Sequence, residues 1–172
     1  MPPLNHAVLS ASSAYRWLEC PPSALATADI LDETTIYAQE GSAAHEMAEY
    51  KIRWHLGEKD LAPPNIGNFN AEEIDRYTDS YAYYATDKIE TIRKICPDAI
   101  VMVEQRLDFS NYVKDGFGTG DLVIVADDVL QVIDFKYGKG VTVMAENNPQ
   151  MMLYALGALN LYGYLYDIKR RL

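Results

Sequence analysis

The sequence predicts an α+β domain in which helices flank a small mixed sheet containing an antiparallel three-strand meander. Two observations carry this expectation. Residues 100–109, 121–126 and 129–135 are apolar, strand-like runs, and only Asp127-Asp128 separates the last two. Segments of helical period stand before and after those runs. With 172 residues, 49% hydrophobic and 23% charged, the chain is expected to form one domain over 1–172 with its own core.

The elements follow in order. Ser10 is a candidate N-cap for a short helix over residues 10–19, which Cys20-Pro21-Pro22 stops. A polar loop is expected from there to Glu40, then a helix from Gly41 to Leu56. On a helical wheel His45, Ala48, Glu49, Ile52 and Leu56 share one face, so His45 sits among apolar residues. Pro, Gly and Asn make residues 57–69 a loop. Asn70 caps a long helix with Glu73 at the capping-box position, and Pro97 follows its end. Its core stripe is expected to be Ile74, Tyr77, Tyr81, Ala85, Ile89 and Ile92. Tyr77, Tyr81, Tyr83 and Tyr84 would also suit base stacking, but helical spacing assigns Tyr77 and Tyr81 to the core. After the three strands, Asn148 and Pro149 signal a final helix to about Gly163. The most lipid-like stretch, residues 151–166, falls short of the roughly 20 apolar residues a span needs, so a buried helix and no membrane partner are expected.

Charge and cysteine content narrow the function classes. A net charge of −10 argues against a broadly basic nucleic-acid coat protein but leaves room for a local basic groove. Cys20 and Cys96 make no disulfide framework, which fits a reducing, cytoplasmic setting. The opening MPPLNHAVLS has neither the charged region nor the apolar core of a signal peptide.

The hairpin raises a chemical question. A turn centred on Asp127-Asp128 pairs Ala126 with Val129 and, in the same register, Asp121 with Asp134. Like charges directly opposite on paired strands, with Cβ atoms about 5 Å apart, are destabilising. They persist if a proton is shared, if water solvates the pair, or if a cation lies between them. Lys136, two residues on, points to the same face as Asp134. Taken alone, Asp-x-Lys reads as a solvated strand end with a salt bridge. Three further features weigh against that: Glu104 on the preceding strand, His45 on an apolar helix face, and Gln150 and Tyr154 one turn apart at a helix start that favours an anion.

The set Glu104, Gly118-x-Gly120-Asp121, Asp134-Phe135-Lys136 and Gln150-x3-Tyr154 resembles the PD-(D/E)XK nuclease superfamily. EGSAAHEMAEY at 40–50 and SASSAYRWLECP near the start make it most similar to the RecB-like branch and to uncharacterised phage-encoded nucleases. The resemblance runs from residue 10 to about 166 and implies a restriction-endonuclease-like core. It implies that Asp121, Asp134, the Phe135 carbonyl and His45 bind Mg²⁺ or Mn²⁺. Lys136 would position or activate water, and Glu104 would be an outer-sphere or second-metal carboxylate. Gln150 and Tyr154 would contact the DNA backbone. The implied function is a metal-dependent DNA nuclease, with a leaning toward a phage-type exonuclease for recombination or replication, working with a phage single-strand annealing or binding protein. The chemistry stands without the family. A hard cation held by carboxylates supplies a nucleophilic water near pH 7 and neutralises transition-state charge, and an ammonium adds a proton-transfer group.

The chain also departs from the pattern. Cys20 occupies the first position of a four-cysteine [4Fe–4S] set, but no downstream trio follows, so no cluster is expected and Cys20 is read as a small buried residue. The family core has a further strand after the last helix, where this sequence ends in the short basic YLYDIKRRL. A nuclease domain lacking its last strand or strands is the corresponding expectation. A catalytically silent nuclease-fold module for DNA binding or assembly is the alternative function. HEMAE at 45–49 lacks the second histidine of a zinc-protease helix, and GYGKG lacks P-loop spacing.

Overall fold

The computed structural model describes residues 7–27, 35–138, 142–166 and 168. A single 3-10 turn, Ala11–Ser13, leads into α1 (Ala14–Glu19) and α2 (Pro22–Ala26). Two long helices follow, α3 (Ile36–His55) and α4 (Ala71–Ile95). Strands β1 (Ile100–Asp108), β2 (Phe117–Ala126) and β3 (Val129–Ile133) precede the last helix, α5 (Pro149–Tyr162). The strands form one antiparallel sheet in the order β1-β2-β3. The expected α+β class and meander are therefore present. The parallel strand that a mixed sheet requires is not found among the described residues, and the basic run Lys169-Arg170-Arg171 lies outside them.

The central strand β2 sorts the core by its pleat. Leu122, Ile124 and Ala126 face α3 and α4, meeting Ala44, Ala48, Ile52, Ile74, Tyr81, Ala85 and Ile89. Val123 and Val125 face the other way, onto Ala14 and Trp17 of α1 and Leu153, Tyr154 and Ala158 of α5. Helices thus cover both faces of a sheet whose middle strand is almost wholly buried. The hairpin register is the one the turn dictates, Ala126 opposite Val129 and Leu122 opposite Ile133, with Asp128 in the left-handed region at φ 61°.

Several local expectations are corrected. α3 begins at Ile36, not Gly41, because Thr35 caps it by accepting the Ala38 N–H at 3.2 Å. The segment after Cys20 is not all loop: Pro22 occupies the first turn of α2, where its missing N–H costs nothing. Of the expected α4 stripe only Tyr77 is out of place, 41% exposed; Ile74, Tyr81, Ala85, Ile89 and Ile92 are buried, joined by Thr78 and Ala82. Cys20 is exposed where α1 gives way to the two prolines, whereas Cys96 at the end of α4 is buried. α5 buries one face only, with Met152 exposed. Among the described residues no helix is long and apolar enough to cross a membrane.

Candidate metal centre

β2 carries Asp121 to the point where the sheet opens. Val103 pairs with Leu122 and Gln105 with Gly120, so Glu104 of β1 stands opposite Asp121. On the other side Leu122 pairs with Ile133, and Asp134 lies one step past the end of β3, next to the line of Asp121. Glu104 has φ 50°, a left-handed conformation that a side-chain-bearing residue holds only where its surroundings impose it. It drops out of the β1–β2 ladder between two regular pairs.

α3 delivers the third group. Lys51 locks α3 to α4, donating to Asp75 Oδ1 at 2.9 Å, Thr78 Oγ1 at 2.8 Å and Asp79 Oδ1 at 2.6 Å. Arg53 ties the same helix to β1 beside Glu104, bonding Glu49 at 2.7 Å and the Val103 carbonyl at 3.4 Å. So held, α3 places His45 Nδ1 3.3 Å from Asp121 Oδ1. The His45 ring rests edge-on against Phe135, with centroids 5.3 Å apart, and Phe135 packs on Tyr81 at 4.8 Å. The second Asp121 oxygen accepts the Phe135 N–H at 2.5 Å. By pleat Asp121 is in phase with Val123 and Val125, yet its carboxylate reaches His45 of α3 at the point where the β2–β3 ladder ends.

One ligand atom from each of His45, Glu104 and Asp121 can be chosen so that all lie within 4.8 Å of one another. Bonds of 2.0–2.6 Å to a divalent cation put donors on opposite sides of its shell about 4–5 Å apart, so this spacing suits a shared ion. One imidazole nitrogen and two carboxylates suit Mn²⁺ as well as Mg²⁺. The electrostatics agree. Burial and the neighbouring Asp121 and Glu49 charges push Glu104 from 4.5 up to about 7. Burial lowers His45, but its hydrogen bond to Asp121 and the surrounding carboxylates outweigh that and raise it above 6.5. These groups hold protons that a cation would displace.

Asp134 is not a member of that trio. Its Oδ2 accepts from Lys136 Nζ at 2.6 Å and its Oδ1 from Gln150 Nε2 at 3.2 Å. Gln150 also accepts from Lys136 Nζ at 3.1 Å and contacts the Tyr154 hydroxyl at 3.2 Å. Burial raises Asp134 in spite of Lys136, and burial pushes Tyr154 up to about 12. α5 can come this close because Gly118 leaves room for Tyr154: a Cβ there would sit 2.7 Å from Tyr154 Cε1, while one on Gly120 would press on Leu107 at 3.0 Å. The Gly-x-Gly-Asp spacing thus has a packing cause. Phe135 meets the centre through its main-chain N–H and its ring.

A cleft of about 510 Å³ opens over the trio, bounded by Ala38, Gly41 and Ser42 of α3 and by Thr119 of β2. Sequence reading missed this wall and Arg53. The signal was there: small side chains at positions 38, 41 and 42 lie within two turns of His45.

Residues 6–171 match the family described as "Protein of unknown function (DUF2800)", and the chain belongs to that family. No solved structure matches it.

Proposed function

We propose that this DUF2800 protein is a metal-dependent phosphodiesterase acting on DNA, a nuclease of the PD-(D/E)XK type. The observation that supports it is one juxtaposition: His45, Glu104 and Asp121 within 4.8 Å, and the Asp134–Lys136–Gln150 network on the neighbouring strand end. Mg²⁺ or Mn²⁺ held by the trio would supply an activated water and neutralise charge on the phosphate.

The remaining work falls to this chain's own side chains. Lys136, half-exposed at its tip, presents a proton and a positive charge where a phosphate oxygen or leaving group would arrive. Asp134 keeps that ammonium in place, and Gln150 fixes both by donating to one and accepting from the other. Tyr154, with its hydroxyl raised to about 12, stays a neutral donor at any working pH. Gln150 and Tyr154 stand at the N-terminal end of α5, where Asn148 takes up the first N–H groups and the helix dipole still favours an anionic backbone.

End-labelled linear DNA and circular DNA, incubated with Mg²⁺ or Mn²⁺, test this reading. We expect breakdown that EDTA stops, and loss of the linear form alone would mark an exonuclease. Intact DNA in both cations, or cleavage indifferent to EDTA, would defeat it.

A further inference from the structure

The outer face of α4 carries an arrangement that neither core uses. Tyr77 and Tyr84 are seven residues apart, so their side chains share one face about 10.5 Å apart along the axis. They are 41% and 50% exposed. Each ring has a cation over one face: the Arg76 guanidinium lies 4.9 Å from the Tyr77 centroid, and Lys88 Nζ lies 5.2 Å from that of Tyr84. The row ends at Tyr137, which is bonded to Glu40 next to the cleft-lining Gly41, and behind it buried ring contacts reach the metal centre. Tyr77 meets Tyr137 edge-on at 5.6 Å, Tyr137 lies 6.3 Å from Phe135, and Phe135 abuts His45.

We propose that Tyr84, Tyr77 and Tyr137 form a stacking track for single-stranded DNA entering the metal cleft. The proposal rests on the reading of that cleft as a DNA phosphodiesterase site. A chain of net charge −10 gains little from the phosphate attraction that dominates duplex binding. Stacking depends on base faces, which a single strand exposes and a duplex hides, and it is indifferent to sequence. The local charges fit this division. Tyr137 donates its hydroxyl to Glu40 at 3.2 Å, and Glu73 is also near, so carboxylates turn phosphates away from the rings while leaving the ring faces to bases. Arg76 and Lys88, each over a ring face, move aside for a stacked base and meet the backbone of its strand. A lone exposed tyrosine needs no explanation; two in line, each with a cation, with Tyr137 between them and the cleft wall at Gly41, form a path.

The test is binding of a fluorescent oligothymidylate with hydrolysis-resistant phosphorothioate links, read by anisotropy in Mn²⁺. Stacking is worth about 1–3 kcal/mol per base, so Tyr77→Ala and Tyr84→Ala should each weaken binding at least about five-fold. Tyr77→Phe and Tyr84→Phe keep the ring and should stay within about two-fold. Tyr83→Ala, turned about 100° from Tyr84 on the helix, should change nothing. A blunt duplex should bind more weakly and ignore all five substitutions. The track is overturned if wild type fails to bind the probe, if the two alanine variants bind as wild type does, or if duplex binding falls equally. Cleavage of unmodified DNA by wild type is scored separately. Loss of probe affinity in the alanine variants of a protein that cuts nothing would leave the track standing and remove the hydrolytic reading.

Discussion

His45 lies 3.3 Å from Asp121 although the two come from opposite layers of the fold, one from α3 and one from the strand face in phase with α5. One Asp121 oxygen meets His45 and the other accepts the Phe135 N–H just past the end of β3. If the contact serves a cation, imidazole chemistry at position 45 matters more than volume. His45→Gln should fold with a melting temperature near wild type and bind Mn²⁺ far more weakly by calorimetry. His45→Ala, by contrast, also loses packing against Phe135, roughly 1–3 kcal/mol. Wild-type Mn²⁺ affinity in the Gln variant would make His45 a packing residue.

Glu104 sets a pH dependence. Its carboxyl is raised from 4.5 to about 7 by burial and by Asp121, so the folded chain holds that proton more tightly than the unfolded chain. The stability it contributes is full below about 4.5 and is lost as pH rises through about 7. His45 and Asp134, also raised, act with the same sign. In chelator, the melting temperature should therefore fall between pH 4.5 and 7, less steeply in Glu104→Gln, while Mn²⁺ affinity in wild type rises over the same interval. Equal slopes in wild type and variant would remove Glu104 from the account.

Gly118 carries a packing prediction. A methyl there would enter the space of Tyr154 Cε1, in a ring that is buried and cannot swing aside. Gly118→Ala should cost about 1–3 kcal/mol in chemical denaturation. Gly120→Ala, whose nearest neighbour is the end of the Leu107 side chain at 3.0 Å, should cost less.

Gln150→Ala separates positioning from metal binding. The side chain bonds Asp134, Lys136 and Tyr154 at a half-exposed site, so its loss should cost only about 1 kcal/mol of stability. DNA cleavage should drop at least about ten-fold with Mn²⁺ affinity unchanged. A variant that cleaves normally would show that the network does not serve the reaction.

Much of this was legible in the chain, and the failures have physical causes. The hairpin register followed from a two-residue turn, which fixed the pairs from Ala126–Val129 to Leu122–Ile133; the ladder stops there, one step short of the expected Asp121–Asp134 pair. Asn70 and Asn148 signalled their helices because each accepts N–H groups of its own first turn. The start of α3 was hidden because Gly41, which resembles a boundary, lies inside a helix whose packing tolerates it. Tyr77 misled because a wheel fixes the phase of a stripe only to within a neighbouring position, and Thr78, bonded to Lys51, took the inner place. The φ of Glu104 left no trace in residue type, since nothing local favours a left-handed glutamate. The trio that includes it depends on that backbone and was visible only in three dimensions.

The most direct test sets wild type beside Asp121→Asn, measuring Mn²⁺ binding and DNA cleavage on the same samples. Asp121 is shared by His45 and Phe135, and Asn keeps its shape while removing its charge. The account predicts that wild type binds Mn²⁺ and cuts DNA, while the variant stays folded, loses both Mn²⁺ affinity and cleavage, and recovers neither at higher pH. A variant that binds Mn²⁺ and cuts DNA as wild type does would contradict it.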